Sequence, residues 1–236
     1  MARPAAVLLD VGGVFLLPDH ERIAGAFARA EHPVPTATLD DAHYAAARRF
    51  DVDRDAEADW AGSWKAYLEG YADYCGVPSD RLEEVHRHLD SEFADAALWY
   101  REAPGCREGL AALAATGVRL GIVSNADGMI GERLRTREIL QVGPGLGIEV
   151  ECVIDSGAVG VMKPDPRIFH LALDAMGLQP GDAWYVGDMP GIDVVGARKA
   201  GIRPVVMDPY SLHLDAEYDR TGSLAELAAT ILATPG

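Results

Sequence analysis

From Pro104 onward the chain alternates short apolar runs with amphipathic helical patterns, and few architectures accept that rhythm. The runs are Val118 to Val123, Glu149 to Ile154, Ala183 to Val186 and Pro204 to Met207. An earlier run, Ala5 to Leu9, ends in Asp10-Val11-Gly12-Gly13. Continuous apolar runs of this length, bounded by glycine, read as strands buried on both faces, the condition of a parallel sheet covered by helices. The helical stretches between them carry start and stop signals. Asp165 stands at an N-cap position with Pro166 behind it, Gly117, Gly177 and Gly201 stand past helix ends, and Ser223 with Glu226 has the spacing of a capping box. Strand and helix in alternation predict an α/β fold with a doubly wound, Rossmann-like parallel sheet.

Residues 18–98 break the rhythm with four helical patterns and no strand. In one, Trp60, Trp64, Tyr67, Leu68, Tyr71 and Cys75 recur at spacings of three and four and share a face; in another, Leu82, Val85, Leu89 and Phe93 follow a Ser79 cap. Such stripes usually mean core packing. The expected organisation is an α/β core of residues 1–17 and 99–236 with an inserted all-helical domain at 18–98.

The charge balance narrows the choice of partner. Twenty-one Lys and Arg against 37 Asp and Glu give a net charge of -16, which repels nucleic-acid backbones and anionic membranes, although a local site for a small anion can still be positive. Only Lys65, Lys163 and Lys199 are lysines, so one that falls within a motif is informative. The cysteines, Cys75, Cys106 and Cys152, are odd in number and lack CxxC spacing, which fits a reducing compartment and gives neither a disulfide framework nor a zinc site. The apolar stretch Met1 to Leu17 is broken by Asp10 and has no small-residue cleavage pattern, and no run of 18 apolar residues occurs, so a cytoplasmic location is expected.

In an open parallel sheet, ligands bind beyond the carboxyl ends of the strands. The polar residues at four successive ends are Asp10, then Ser124 and Asn125, then Lys163, then Asp188. Each has an ordinary explanation as a cap or turn residue. Together they supply a carboxylate nucleophile, two carboxylates for a metal, and hydroxyl, amide and ammonium donors for an anion.

Four pieces of the sequence, Leu8-Leu9-Asp10-Val11-Gly12-Gly13-Val14, Ile122-Val123-Ser124-Asn125, Met162-Lys163-Pro164-Asp165-Pro166-Arg167-Ile168-Phe169, and Val186-Gly187-Asp188 with Asp193 five residues on, resemble the four motifs of the haloacid dehalogenase-like hydrolases. The helical insert resembles the cap of the subfamily that places it between the first two motifs, and Gly196 to Gly201 is similar to that group as well. The resemblance implies a magnesium-dependent phosphatase acting through an aspartyl-phosphate on a small phosphorylated metabolite. Asp10 would be the nucleophile. Asp10, the carbonyl of Gly12 and Asp188 would hold Mg2+; Ser124, Asn125 and Lys163 would hold the phosphate; Asp193 would orient Lys163 or a metal-bound water. The cap would act as a lid.

Gly12 departs from the family's phosphatases, which carry there a second aspartate that protonates the leaving oxygen and then activates water. General acid/base help is worth about 10² to 10⁴ in rate, so its loss implies slow turnover, a good leaving group or a substitute donor. Asp19 and His20, where the chain enters the insert, are candidates for that donor. Tyr44, Arg48 and Arg49 are candidates to face the site. Two other readings remain open. The family's phosphonate hydrolases also lack this aspartate and use a cap lysine, for which Lys65 is the counterpart; a phosphate-binding regulatory protein would keep the cradle with reduced turnover. The metal-independent dehalogenases carry a tyrosine at position 12, and the retained Gly187-Asp188 pair speaks against that branch. His86 and His88, two apart on one helix, point to different faces and make no zinc site.

Overall fold

The computed structural model describes residues 2–52, 60–214 and 216–235. Along the chain it forms β1 (Ala6–Leu9), β2 (Leu16–Pro18), α1 (His20–Arg29), α2 (Leu39–Val52), α3 (Trp60–Tyr74), α4 (Leu82–Phe93), β3 (Trp99–Glu102), α5 (Cys106–Ala115), β4 (Arg119–Ser124) and α6 (Ile130–Thr136). There follow β5 (Leu140–Val142), β6 (Ile148–Val150), β7 (Cys152–Asp155), α7 (Ser156–Val159), α8 (Pro166–Met176), β8 (Ala183–Gly187), α9 (Asp193–Lys199), β9 (Arg203–Met207), β10 (Asp219–Thr221) and α10 (Leu224–Ala233).

The central sheet has the order β10-β9-β8-β1-β4-β7 and is parallel throughout. Leu9 of β1 pairs with Ile122 of β4 on one side and Val186 of β8 on the other, so the strand order reverses direction at β1 and the carboxyl ends of all three strands lie together. That is the topological switch point where such sheets bind ligands. The pleat sends alternate side chains to opposite faces. Val7 and Leu9 join Leu110, Leu113, Leu227 and Ile231 from α5 and α10, while Ala6 and Leu8 join Ile168, Phe169 and Leu173 from α8. Both faces are therefore dry, which explains why the strands read as unbroken apolar runs.

The four helical patterns of residues 18–98 are α1 to α4, whose apolar cluster around Phe27, Tyr67, Tyr71 and Leu89 also takes in Ile192 ahead of α9. Burying side chains of this size is worth roughly 1.5 to 3 kcal/mol each. A short antiparallel ribbon of β2 and β3, with Leu17 opposite Arg101, joins the helices to the sheet; it is too short to stand out in the sequence.

Several local expectations change. The strand expected over Glu149 to Ile154 is two strands: β6 pairs with β5, and β7 joins the central sheet. The break falls at Glu151, whose carboxylate holds Arg119 and whose N–H donates to the Leu120 carbonyl at 2.8 Å. An apolar run cannot show that its halves pair with different neighbours. Asp165 caps α8 through the Arg167 N–H at 2.9 Å, with Gly177 left-handed at the other end, as expected. Ser223 caps α10 through the Glu226 N–H, but the Glu226 carboxylate accepts from the Gly222 N–H, so the box is only half formed. Ser79 is not a cap. The segment before α4 turns instead, and the helix begins at Leu82 after Arg81 without a side-chain cap.

Candidate active site

The residues expected at strand ends converge. Asp10 follows β1, Ser124 ends β4, Asp188 follows β8 and Asp193 opens α9; Lys163 comes from the loop ahead of α8. All five are buried. The Lys163 ammonium donates to Asp10 Oδ2 at 2.5 Å, the Tyr185 hydroxyl at 2.7 Å and Asp193 Oδ1 at 2.8 Å. Ligand oxygens of Asp10, Asp188 and Asp193 lie within 4.8 Å of one another.

Two glycines permit that crowding. A Cβ on Gly13, whose φ is +67°, would lie 2.1 Å from the Asp188 carboxyl carbon, and one on Gly187 would lie 2.3 Å from that of Asp193. The Asn125 side chain accepts from the Lys163 N–H at 2.8 Å and donates to the Lys163 carbonyl at 3.1 Å, clamping that residue's backbone. Asp193 also accepts from the Tyr185 hydroxyl and the Met189 N–H, which leaves little of it free.

Burial dominates the electrostatics here. It pushes the Asp10 carboxyl up to about 6, opposed by the Lys163 ammonium and assisted by Asp193 and Asp188. Burial works against the charge on Lys163, yet Asp10 and Asp193 outweigh it and hold that ammonium above the ordinary lysine value. The Tyr185 hydroxyl is raised well above its ordinary range by burial and then by Asp10 and Asp193, so it stays protonated.

A cavity of about 470 Å³ opens over this cluster. Its floor is Asp10, Gly12, Ser124, Asn125, Lys163, Asp188 and Asp193, and one wall is apolar, with Trp64 and Phe93 from the insert and Trp99 from β3. At its mouth Arg133 and Asp127 form a two-point ion pair at 2.8 and 2.6 Å. The loop carrying Asp127 is tied down by Asp155, which ends β7 and accepts from the N–H groups of Gly128, Ile130 and Gly157.

Several candidates lie elsewhere. Asp19 caps α1 by accepting from the Glu21 and Arg22 N–H groups, and neither it nor His20 lines the cavity. Tyr44 is buried and donates to the Gly13 carbonyl at 2.7 Å, so it holds the motif loop from behind. Arg48 and Arg49 are exposed, Arg49 pairing with Asp73. Lys65 has a side chain 71% exposed beside Glu69 and does not line the cavity, which removes the amine required by the phosphonate reading. The aromatic stripe of α3 divides: Tyr67 and Tyr71 are core, Trp64 faces the cavity, and the Trp60 side chain lies outside the described residues.

Sequence reading missed His43. It is buried on α2, with Nδ1 2.8 Å from the Tyr67 hydroxyl and Nε2 3.0 Å from Asp188 Oδ2. The second contact is close without the alignment of a hydrogen bond. A single histidine among helical positions gave no signal, because its partner is 145 residues away in the chain.

The family model for haloacid dehalogenase-like hydrolases matches residues 4–201. The chain belongs to that family. Among haloacid dehalogenase-like proteins it is similar to a phosphoserine phosphatase from Thermus thermophilus, 37% identical over 156 residues that make up 65% of this chain and 58% of that protein. It also resembles a phosphoglycolate phosphatase from Rhodospirillum rubrum, 31% identical over 86% of this chain and 79% of that one. The chain thus spans less than two thirds of the Thermus relative's length. Its fold matches the crystal structure of a HAD phosphatase from Thermococcus onnurineus with a TM-score of 0.54 at 22% identity, covering 100% of this chain and 99% of that one. Among the described residues no helix is long and apolar enough to cross a membrane.

Proposed function

We propose that this protein is a magnesium-dependent phosphatase of a small phosphorylated metabolite, with residues 18–98 serving as a cap over a core formed by 1–17 and 99–236. The observation that carries the reading is the buried Lys163 ammonium bridging Asp10 and Asp193 at the floor of a cavity at the sheet's switch point. Phosphatase relatives and the apolar cluster that α1 to α4 form support it. The free thiols Cys75, Cys106 and Cys152 fit a reducing, cytoplasmic setting.

The residues present fit a divalent cation. Three clustered carboxylates face one ammonium, an excess of negative charge, and Asp188 Oδ2 is buried without a hydrogen-bond donor. Because Asp193 is committed to Lys163, Asp10, Asp188 and the Gly12 carbonyl are the groups that would hold Mg2+, which favours a few carboxylate or carbonyl oxygens together with water and phosphate. When bound, the ion would neutralise phosphate charge.

The remaining roles belong to side chains. Asp10 attacks phosphorus. Lys163 keeps the attacking oxygen in place and, with the Ser124 hydroxyl and the Asn125 main-chain N–H, offsets charge on the transferred group. Asp193 and Tyr185 fix Lys163, and closure by the insert excludes water during the first step. A binding protein would keep the same cradle, so turnover decides. Orthophosphate release from a phosphomonoester panel with Mg2+ should be seen for the wild type and lost in Asp10→Asn; metal binding with no release from any ester would leave a binding protein.

A further inference from the structure

The haloacid dehalogenase-like phosphatase reading leaves open how the leaving oxygen is accommodated at Gly12. Trp99 packs against the position that an acid there would take. A Cβ at position 12 would lie 3.1 Å from Cζ3 and 3.3 Å from Cε3 of that indole, tighter than ordinary contact, so the ring lies against the place where a donor would stand. Among the described residues that line the cavity, the acids and the lysine are engaged in pairs of their own. Asp127 gives both oxygens to Arg133, which holds its carboxyl below the ordinary range and keeps it ionised. Asp90 accepts from the Trp64 indole N–H at 2.8 Å. Lys163 is held between Asp10 and Asp193, and no histidine, cysteine or tyrosine lines the space.

A second, independent observation concerns the wall. Trp64 and Phe93 meet edge to face with centroids 5.4 Å apart, and Phe93 and Trp99 are tilted at 6.1 Å, so three rings continue one another along the cavity. Met189 and Ile192 extend the apolar surface from the core side. Such a wall favours a flat apolar body, through area removed from water and ring–ring contact.

We propose that the substrate is an aryl phosphate, the monoester of an aromatic hydroxyl, bound with its ring against Trp64, Phe93 and Trp99. This rests on the phosphatase reading. An aromatic hydroxyl has a pKa of about 10, as tyrosine does, against about 15.7 for water, so its oxygen departs as an anion without a proton donor. In the first step an Asp10 oxygen bonds to phosphorus and the phosphorus–oxygen bond to the ring breaks, its electron pair leaving on the aryl oxide. Water then bonds to phosphorus, the Asp10 carboxylate leaves, and the proton of that water ends on phosphate. The aryl oxide is protonated by solvent after release. Position 12 supplies no base for the second step either, so hydrolysis of the phosphorylated Asp10 limits turnover.

The test uses the Mg2+-loaded full chain with phenyl phosphate, cyclohexyl phosphate and acetyl phosphate, the last having a good leaving group and no ring. Phenyl phosphate should exceed cyclohexyl phosphate by about 10² or more in kcat/KM, in line with the rate a general acid would have supplied. Substituted phenyl phosphates should share one kcat and release a burst of close to one aryl oxide per site. Trp99→Leu and, separately, Phe93→Leu should raise KM for phenyl phosphate about 10-fold more than for acetyl phosphate, roughly the worth of one lost ring contact. Cyclohexyl phosphate turned over within about threefold of phenyl phosphate, or equal KM changes for the two substrates, would overturn the proposal while leaving the phosphatase reading intact. Absence of Asp10-dependent release from acetyl phosphate as well would overturn both.

Discussion

His43 Nε2, on a helix of the insert, lies 3.0 Å from Asp188 Oδ2 at the floor of the cavity. The Tyr67 hydroxyl lies 2.8 Å from Nδ1, so the ring is held between that hydroxyl and the carboxylate. His43 therefore packs behind Asp188, and the helices before β3 touch one of the carboxylates proposed to hold Mg2+. Groups that orient metal ligands are worth about 10- to 100-fold in metal affinity. His43→Ala should weaken Mg2+ binding by at least about 10-fold in calorimetric titration; unchanged affinity would reduce the contact to packing.

Removing the Lys163 charge should injure both stability and chemistry. Lys163→Met leaves Asp10 and Asp193 buried without their common counter-ion, and breaking a buried pair from one side costs about 3 to 5 kcal/mol. Urea unfolding of the metal-free protein measures that loss directly, and phosphate release should fall to background. A variant as stable as wild type would mean that the two carboxylates take up protons instead.

The glycines beside the acids are steric requirements. In Gly13→Ala the new methyl would sit 2.1 Å from the Asp188 carboxyl carbon on a backbone with φ of +67°, so the loop or the acid must move. Metal affinity should drop about 10-fold or more, with a loss of about 1 to 3 kcal/mol on unfolding, the usual cost of overpacking. Gly25→Ala, where the nearest atom to a new Cβ is the flexible end of Arg29 at 3.5 Å, is the matched control.

Restoring an acid at position 12 should fail unless Trp99 gives way. Gly12→Asp alone should change cyclohexyl phosphate turnover by no more than a few-fold, because the indole lies 3.1 Å from the new Cβ. In a Trp99→Leu background the same change should raise it by about 10², the lower end of general-acid contributions. Steady-state kcat/KM for the four proteins separates the two cases.

Asp208, just after β9, ties down the following loop by accepting from the Leu212 N–H at 2.7 Å, the His213 N–H at 3.0 Å and Arg220 at 2.9 Å. Burial opposes its charge, but these donors outweigh burial and hold the carboxyl below its ordinary value. A carboxyl lower in the folded than in the unfolded chain adds stability above the unfolded value of about 3.9 and loses it as pH falls through the folded one. Asp208→Asn should therefore cost about 1 to 3 kcal/mol at pH 7. In urea melts the gap to wild type should close as pH drops below about 3.9; a gap independent of pH would show that charge is not involved.

The amino-acid sequence by itself determined the layers and the polar residues gathered at the strand ends. Alternation of apolar runs and helical stripes is a local property, fixed by which faces must be dry, and it identified the parallel sheet and the four helices of the insert. Asp10, Ser124, Lys163 and Asp188 were legible because a parallel sheet brings its strand ends and the loops beyond them to one edge, whatever the length of chain between them, whereas Asp193 was marked only by the resemblance to the family's last motif. Only the tertiary structure decided which side chains surround the cavity and support its floor. His43 beneath Asp188, Trp99 against Gly12, the Arg133–Asp127 pair and the turning of Asn125 onto Lys163 all depend on how the insert and the loops pack on the sheet. Those contacts join residues from separate elements with no shared periodicity, so the angle and register of packing fix them, and neither is written in the local pattern.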